Sequence, residues 1–183
     1  NLTRSARTGN NLNNNILYRH AFPRRGRTFS INLNTSYNKR DGETFVETFQ
    51  RLFTSSGIQD SAALRLTDQL SDGLQLSSNI AYTEPIGKNS QLQFNYNPRI
   101  SKSNSDQETF GFDPIENKYS VFLENLSNKF ENKTVSHNGG ISYRFNTREK
   151  QISFGANYQS TTLKSEQTFP QKLTVNKNFQ NIL

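Results

Sequence analysis

One stretch constrains this chain more than any other, and it runs from Leu74 to Tyr96. On its first arm Leu74, Leu76, Ile80 and Tyr82 fall on one side, and Gln75, Ser77, Asn79 and Thr83 on the other. The second arm sets Leu92, Phe94 and Tyr96 against Gln91, Gln93 and Asn95. A period of two belongs to a half-buried strand. Pro85 and Gly87 break the run between the arms, so the pair reads as a tight antiparallel hairpin with one apolar and one polar side.

What the apolar side faces is narrowed by composition. The chain is 31% hydrophobic with a mean hydropathy of -0.84, below an ordinary soluble domain. Its 14 Phe and 7 Tyr, set in long alternating runs, argue against a disordered chain. A sheet with lipid on one side and a water-filled lumen on the other reaches such values without a doubly apolar core. No segment approaches the roughly 20 apolar residues of a membrane helix, so a bilayer would be crossed by strands. The absence of cysteine excludes a disulfide framework and thiol or Cys-based zinc chemistry. A start at Asn1, without methionine or an apolar signal segment, reads as a piece of a longer precursor.

The formal charge of +7 raises nucleic acid as a partner. Lys and Arg are nevertheless spread along the chain, with one tight group at Arg24-Arg25-Gly26-Arg27 and no basic stripe interleaved with stacking aromatics, which speaks against it. Arg24, Arg25, Lys88, Arg148 and Lys150 fall at short turns, where they meet either anionic headgroups or solvent.

In chain order, Asn1 to Asn13 is polar and reads as loop or the ragged end of a strand. Ile16, Tyr18, His20 and Phe22 alternate with Leu17, Arg19 and Ala21, and Pro23 to Gly26 is a tight turn. The cleanest alternation follows, with Phe29, Ile31, Leu33, Thr35 and Tyr37 opposing Ser30, Asn32, Asn34, Ser36 and Asn38. Asp41-Gly42 interrupts it, though Glu43 to Phe53 stays β-rich and continues the hairpin past the membrane. Thr54 to Asp72 reads as a polar loop or short helix, with Ala62 to Leu70 as one or two turns. Pro98 limits the second arm of the central hairpin to a strand end or an irregular step. Ser101 to Asn132 reads as an extended loop containing strand edges. Val135, Ile141, Tyr143 and Phe145 form the next apolar side, Asn146 to Glu149 turns the chain, and Ile152, Phe154, Ala156 and Tyr158 form another. A polar stretch through Phe169-Pro170 leads to a last candidate strand, Leu173 to Leu183.

The short turns at Pro23, Pro85 and Asn146 recur at roughly 60 residues, whereas soluble β-sandwiches turn about every 8–12. The expectation is therefore all-β: an antiparallel up-and-down transmembrane β-barrel segment with about seven long strands, short periplasmic turns and long extracellular loops. Residues 1–183 form one partial barrel domain in this reading, a fragment of a larger barrel in the Gram-negative outer membrane, without plug or signal peptide. Strands near Ile16, Leu74, Ile141 and Phe179 run inward, and those near Ile31, Phe94 and Phe154 outward. Phe22, Phe29, Tyr82 and Phe145 lie near the short turns, as an interfacial aromatic girdle does. The polar sides are Asn, Gln and Ser, with Arg99 and Arg144 as their basic exceptions.

Several of these segments also carry a family likeness. Asn15-Ile-Leu-Tyr-Arg-His-Ala-Phe22 followed by Arg25-Gly-Arg-Thr-Phe-Ser-Ile-Asn-Leu33, then Ala81-Tyr-Thr-Glu-Pro-Ile86, Ser127-Asn-Lys-Phe-Glu-Asn132 and Gly140-Ile-Ser-Tyr-Arg-Phe145, resembles the barrel portion of the TonB-dependent receptor-like outer-membrane β-barrel proteins. The resemblance spans nearly the whole chain, and its motifs are turn and strand signatures that say nothing of cargo. It implies a barrel of about 22 strands closed by an N-terminal plug, importing a bulky solute on energy from the inner membrane. Its partners would be outer-membrane lipid, the rest of the barrel and plug, the TonB energy-coupling complex and an imported ligand. This sequence departs from that pattern in lacking a plug and a coupling box, and about seven strands do not close a bacterial barrel, for which even numbers from about 8 upward are the rule.

No catalytic, cofactor-binding or metal-binding residue is expected, and none is assigned to the ligand. His20 and His137 fall on the lipid or interface side. Ser136, His137 and Asn138 are the residue types of a membrane phospholipase, yet neighbours on a strand point to opposite sides. Glu43, Glu47, Asp106, Glu108, Asp113 and Glu116 lie in loop-side segments without the spacing of a calcium loop. The triplets at Asn34, Asn125 and Asn132 fit the glycosylation pattern and read as polar face and loop. Two functions stand: a solute-importing receptor barrel, or a structural or adhesive cell-surface module without transport activity.

Overall fold

Alternating side chains need a neighbouring strand on each edge, and the chain supplies one almost everywhere. The computed structural model describes residues 2–54 and 57–182. Within them lie β1 (Leu2–Ala21), β2 (Thr28–Thr54), β3 (Gly57–Pro85), β4 (Ser90–Asp113), β5 (Lys118–Phe122), β6 (Asn128–Asn146), β7 (Gln151–Phe169) and β8 (Leu173–Ile182). They form one sheet in the order β1-β2-β3-β4-β6-β7-β8, with short β5 beside β4. Every pairing is antiparallel. The seven strands of the main path match the expected number and directions. The sheet does not close: β1 pairs with β2 alone and β8 with β7 alone.

The short turns have the local chemistry that tight reversals need. Gly26 takes a φ of 86°, which a side chain resists, while the Phe22 and Arg27 amides donate to Arg27 and Arg24 carbonyls at 3.1 and 3.0 Å. Ile86 donates to Ser90 at 3.0 Å, and the Thr147 hydroxyl accepts from the Lys150 amide at 3.0 Å. All three turns lie at one rim.

Register carries the apolar sides of all strands but one onto a single face. Tyr18, Ile31, Ile80 and Tyr96 lie side by side, as do His20, Phe29, Tyr82, Phe94 and Ile141. The apolar rows extend from Tyr82 to Leu76 on β3 and from Leu92 to Ile100 on β4, and Lys102, Lys133 and Lys164 form the next row, in register with Leu74. Nine residues from Leu92 to Ile100 suit the roughly 9–11 of a tilted spanning strand. Near the short turns Phe22, Tyr82 and Phe94 follow one another at centroid distances of 6.4 Å, the expected girdle. In β8 the pattern is reversed: Val175 and Phe179 pair with Ser165 and Thr161 on the polar face, and nothing in the structure explains that reversal.

Among the described residues no hydrophobic side chain is buried, and Phe154 is 69% exposed. Among the described residues no second sheet covers either face; only the 3-10 turn segment packs beside Gln107 and Thr109, and the greasy rows stay uncovered.

The far rim is built differently from the sequence expectation. Leu2 to Asn13 belongs to β1, and β2 runs through Asp41-Gly42 without a break. Thr54 to Asp72 is largely β3, paired with β2 from Thr54↔Gly57 onward, and Ala62 to Leu70 is strand, not helix; Ser55 and Ser56 lie outside the described residues. Ser101 to Asn132 holds the rest of β4, β5, a 3-10 turn at Glu124–Leu126 and the start of β6. β4 also continues through Pro98, although its ladder with β3 skips Ser78 and Asn79 there. The long excursions are present, but they are hydrogen-bonded strand. Beyond the bilayer no lipid demands an apolar side, so cross-strand polar pairs take over: Lys102 with Glu131 at 2.8 Å and Asn104 donating to Asp72 at 3.0 Å. The pairing persists while the alternation that betrays it in sequence disappears.

Candidate functional site

The polar face gathers most of the strands' hydrogen-bonding side chains. Its side chains are short, neutral hydrogen-bonders, and register places like beside like. Asn32, Asn79, Asn97, Asn138, Gln159 and Asn181 form one row across six strands. Asn15 donates to Asn32 at 2.9 Å, Gln69 to Gln107 at 2.9 Å, and the Ser136 and Thr161 hydroxyls meet at 2.9 Å. Gly140 lies between Asn95 and Asn157, which bond across it at 3.4 Å; a Cβ on Gly140 would stand 1.9 Å from the Asn157 Oδ1. Each side chain thus spends part of its hydrogen-bonding capacity on a neighbour and presents the rest to water.

Cations punctuate this face. Arg99 donates to the Gln75 Oε1 at 2.6 Å, and Arg144 stands in register with Gln91 and Ser153. The longer strands add Arg7, Arg40 and Arg65, in register with Gln69, Ser71 and Gly111 through their neighbours, together with Arg19 and Lys177. Sequence reasoning missed Arg7, Arg40 and Arg65 because they fall in stretches read as loop or interruption. The signal was there: counting in twos from Asn34 through Gly42 puts Arg40 on the Asn side. Gly42 makes room for Arg7, since a Cβ there would stand 2.6 Å from the Arg7 Cγ and 2.8 Å from the Ala6 carbonyl oxygen. Around it lies a hollow of about 460 Å³ lined by Arg7, Thr8, Arg40, Asp41, Gln69 and Ser71. A second, of about 680 Å³ at the short-turn rim, is lined by Arg25, Lys88, Gln91, Arg144 and Asn146 among others.

The residues weighed for catalysis are not brought together. Ser136 faces the polar side against Thr161, whereas His137 lies on the apolar side, its Nδ1 2.7 Å from the Tyr96 hydroxyl. His20 packs edge-on against Phe22 at 4.5 Å. Among the described residues no group of three or more His, Asp or Glu side chains could hold a metal ion. Of the acidic residues read as loop-side, Glu43, Glu47, Asp106 and Glu108 are in strands, and the Asp113 Oδ1 accepts the Ile115 amide at 2.8 Å. Asn34 and Asn132 lie on the polar face and Asn125 in the 3-10 turn.

One cluster at the short-turn rim was not foreseen. The Glu84 carboxylate accepts from Arg27 Nε and NH2 at 2.8 and 2.7 Å and from Arg24 NH1 at 2.9 Å. The Tyr82 hydroxyl also donates to it at 2.6 Å. Glu84 stands one residue before the short turn, in register with Leu92 at the rim edge of the apolar rows, and the Arg27 hydrogen bonds, then that from Tyr82, hold its carboxyl down at about 2. The cluster fastens the first short turn to the second.

A single layer with one apolar and one wet face, strands joined by short turns at one rim and long excursions at the other, is the wall of a membrane β-barrel. The chain belongs to the outer membrane protein beta-barrel family, whose model matches residues 20–183. A search of curated proteins finds no match. The protein is thus an outer-membrane protein that crosses the bilayer with strands.

Proposed function

We propose that this chain is part of the wall of an outer-membrane transporter that imports a bulky solute, with energy delivered through a TonB-type coupling complex. The observation that carries the reading is the pair of unlike faces: greasy rows without cover on one side, a ladder of Asn, Gln, Ser and Thr on the other. A purely structural module has no need of a continuous wet face across six strands, and a solute path does. The turn and strand motifs that resemble TonB-dependent receptors support the finer reading. On it, the remainder of the barrel and a plug complete the transporter, lipid covers the apolar face, and the chain has no catalytic role.

Comparing cells with and without the full-length gene tests this, by following which solutes disappear from a defined medium. Depletion of a bulky solute should stop on deleting the gene and also on collapsing the inner-membrane proton gradient. Solute depletion that ignores both manipulations would sink the proposal.

A further inference from the structure

The two faces of the sheet differ in charge as sharply as in hydropathy. On the outer face acids and bases are interleaved: Lys129 pairs with Asp106, Lys164 with Glu166 and Lys102 with Glu131. Asp41, Glu43, Asp68, Asp72 and Glu108 have the same parity as those residues. On the polar face, among the described residues of the strands, the sole carboxylate position is Asp113, the last residue of β4, whose Oδ1 is engaged by the hairpin amides. Arg7, Arg40, Arg65, Arg99 and Arg144 share that face, and none of them forms an ion pair with another described residue. Both hollows described above open beside these cations; Asp41 lines one of them, but register assigns its side chain to the other face.

A mere excess of base would be distributed over both faces. Here the outer face carries more acids than bases, and the inner one carries bases with almost no acid. A wall carrying one sign of charge concentrates counter-ions along it, and arginine's planar fork matches carboxylate, sulfate and phosphate groups. Rings of Arg and Lys serve anion pores in the same way. We propose that the polar face selects an anionic solute, one bearing several carboxylate, sulfate or phosphate groups, with Arg40 and Arg99 among its contacts. This inference rests on the assignment of the polar face to the solute path.

The test is binding of the trisulfonate dye pyranine to the full-length protein in zwitterionic micelles, read by fluorescence anisotropy at about 0.15 M salt, where charges more than about 8 Å apart are largely screened. The wild type should bind, and Arg40→Glu with Arg99→Glu should weaken binding about tenfold or more. The same charge change on the opposite face, Lys39→Glu with Lys133→Glu, should leave it within about twofold. Heat-modifiable gel migration verifies folding of each variant, and Arg40→Gln with Arg99→Gln serves if the charge reversal does not fold. A wild type that leaves the dye free, or equal weakening by the two charge reversals, overturns the inference. Because dye binding needs no uptake, failure of the transport reading is detected separately, in the depletion experiment.

Discussion

At the scale of single residues, the two informative glycines differ in what their missing side chains make room for. A Cβ at Gly42 would stand 2.8 Å from the Ala6 carbonyl oxygen, which is backbone, so β1 itself has to move. Gly42→Val should therefore cost about 1–3 kcal/mol and speed amide exchange over the first half of β1, measured by mass spectrometry. At Gly140 the obstacle is the tip of Asn157, which can swing away. Gly140→Ala should cost no more than the Asn95–Asn157 hydrogen bond, about 0.5–1.5 kcal/mol, and Asn157→Ala should abolish that difference in the same unfolding assay. Glu84 makes a third residue-scale prediction. Its folded carboxyl is lowered to about 2 from an ordinary 4.5, so the cluster's contribution is complete above the ordinary value. It declines as pH falls below that and is lost on passing about 2. Protection of the Arg27 and Ile86 amides, taken relative to their intrinsic exchange rates at each pH, should fall across that window in the wild type and stay constant in Glu84→Gln.

At the scale of the strand, depth decides what a substitution costs. Leu33 sits midway up the apolar rows, whereas Phe94 is one row from the girdle's edge. Leu33→Arg should cost about 2–4 kcal/mol in refolding into vesicles, and Phe94→Arg closer to 0–1. Asn34→Arg and Asn95→Arg, on the wet side, should be mild; equal penalties on both sides would contradict the lipid-facing assignment. These membrane rows were legible in the sequence because lipid and water impose opposite demands on successive residues, as in Phe29 to Asn38. Their continuation was not. Above the bilayer both sides are wet, so Lys102, Asn104 and Asp106 look like loop although each is paired on both edges. The arginines of the wet face were only partly legible for the same reason: Arg19, Arg99 and Arg144 stand within the alternating rows, and Arg7, Arg40 and Arg65 stand above them.

At the scale of the whole molecule, the open edges matter most. β1 and β8 are both reached after an even number of antiparallel steps from one another, so they run in the same direction and could close on each other only through a parallel seam. Unsatisfied backbone groups in hydrocarbon cost several kcal/mol each, so the membrane-level edges of β1 and β8 call for cover, from other strands of the same protein or from another copy. In the full-length protein in bilayers, amides from Asn14 to Ala21 should exchange as slowly as those of β3 at the same depth. Fast exchange along that edge would show it to be uncovered.

The length of β3, 29 residues or about 95 Å of chain, has a bearing on how this surface can change over generations. From Arg65 to Ser77 it is a ladder in step with both its neighbours. A floppy loop absorbs inserted or deleted residues freely, but one residue gained here would turn every later side chain to the opposite face. Variation in the projecting part should therefore come as exchanges of one amino acid for another, and changes of length should come in pairs or be confined to the hairpin tips.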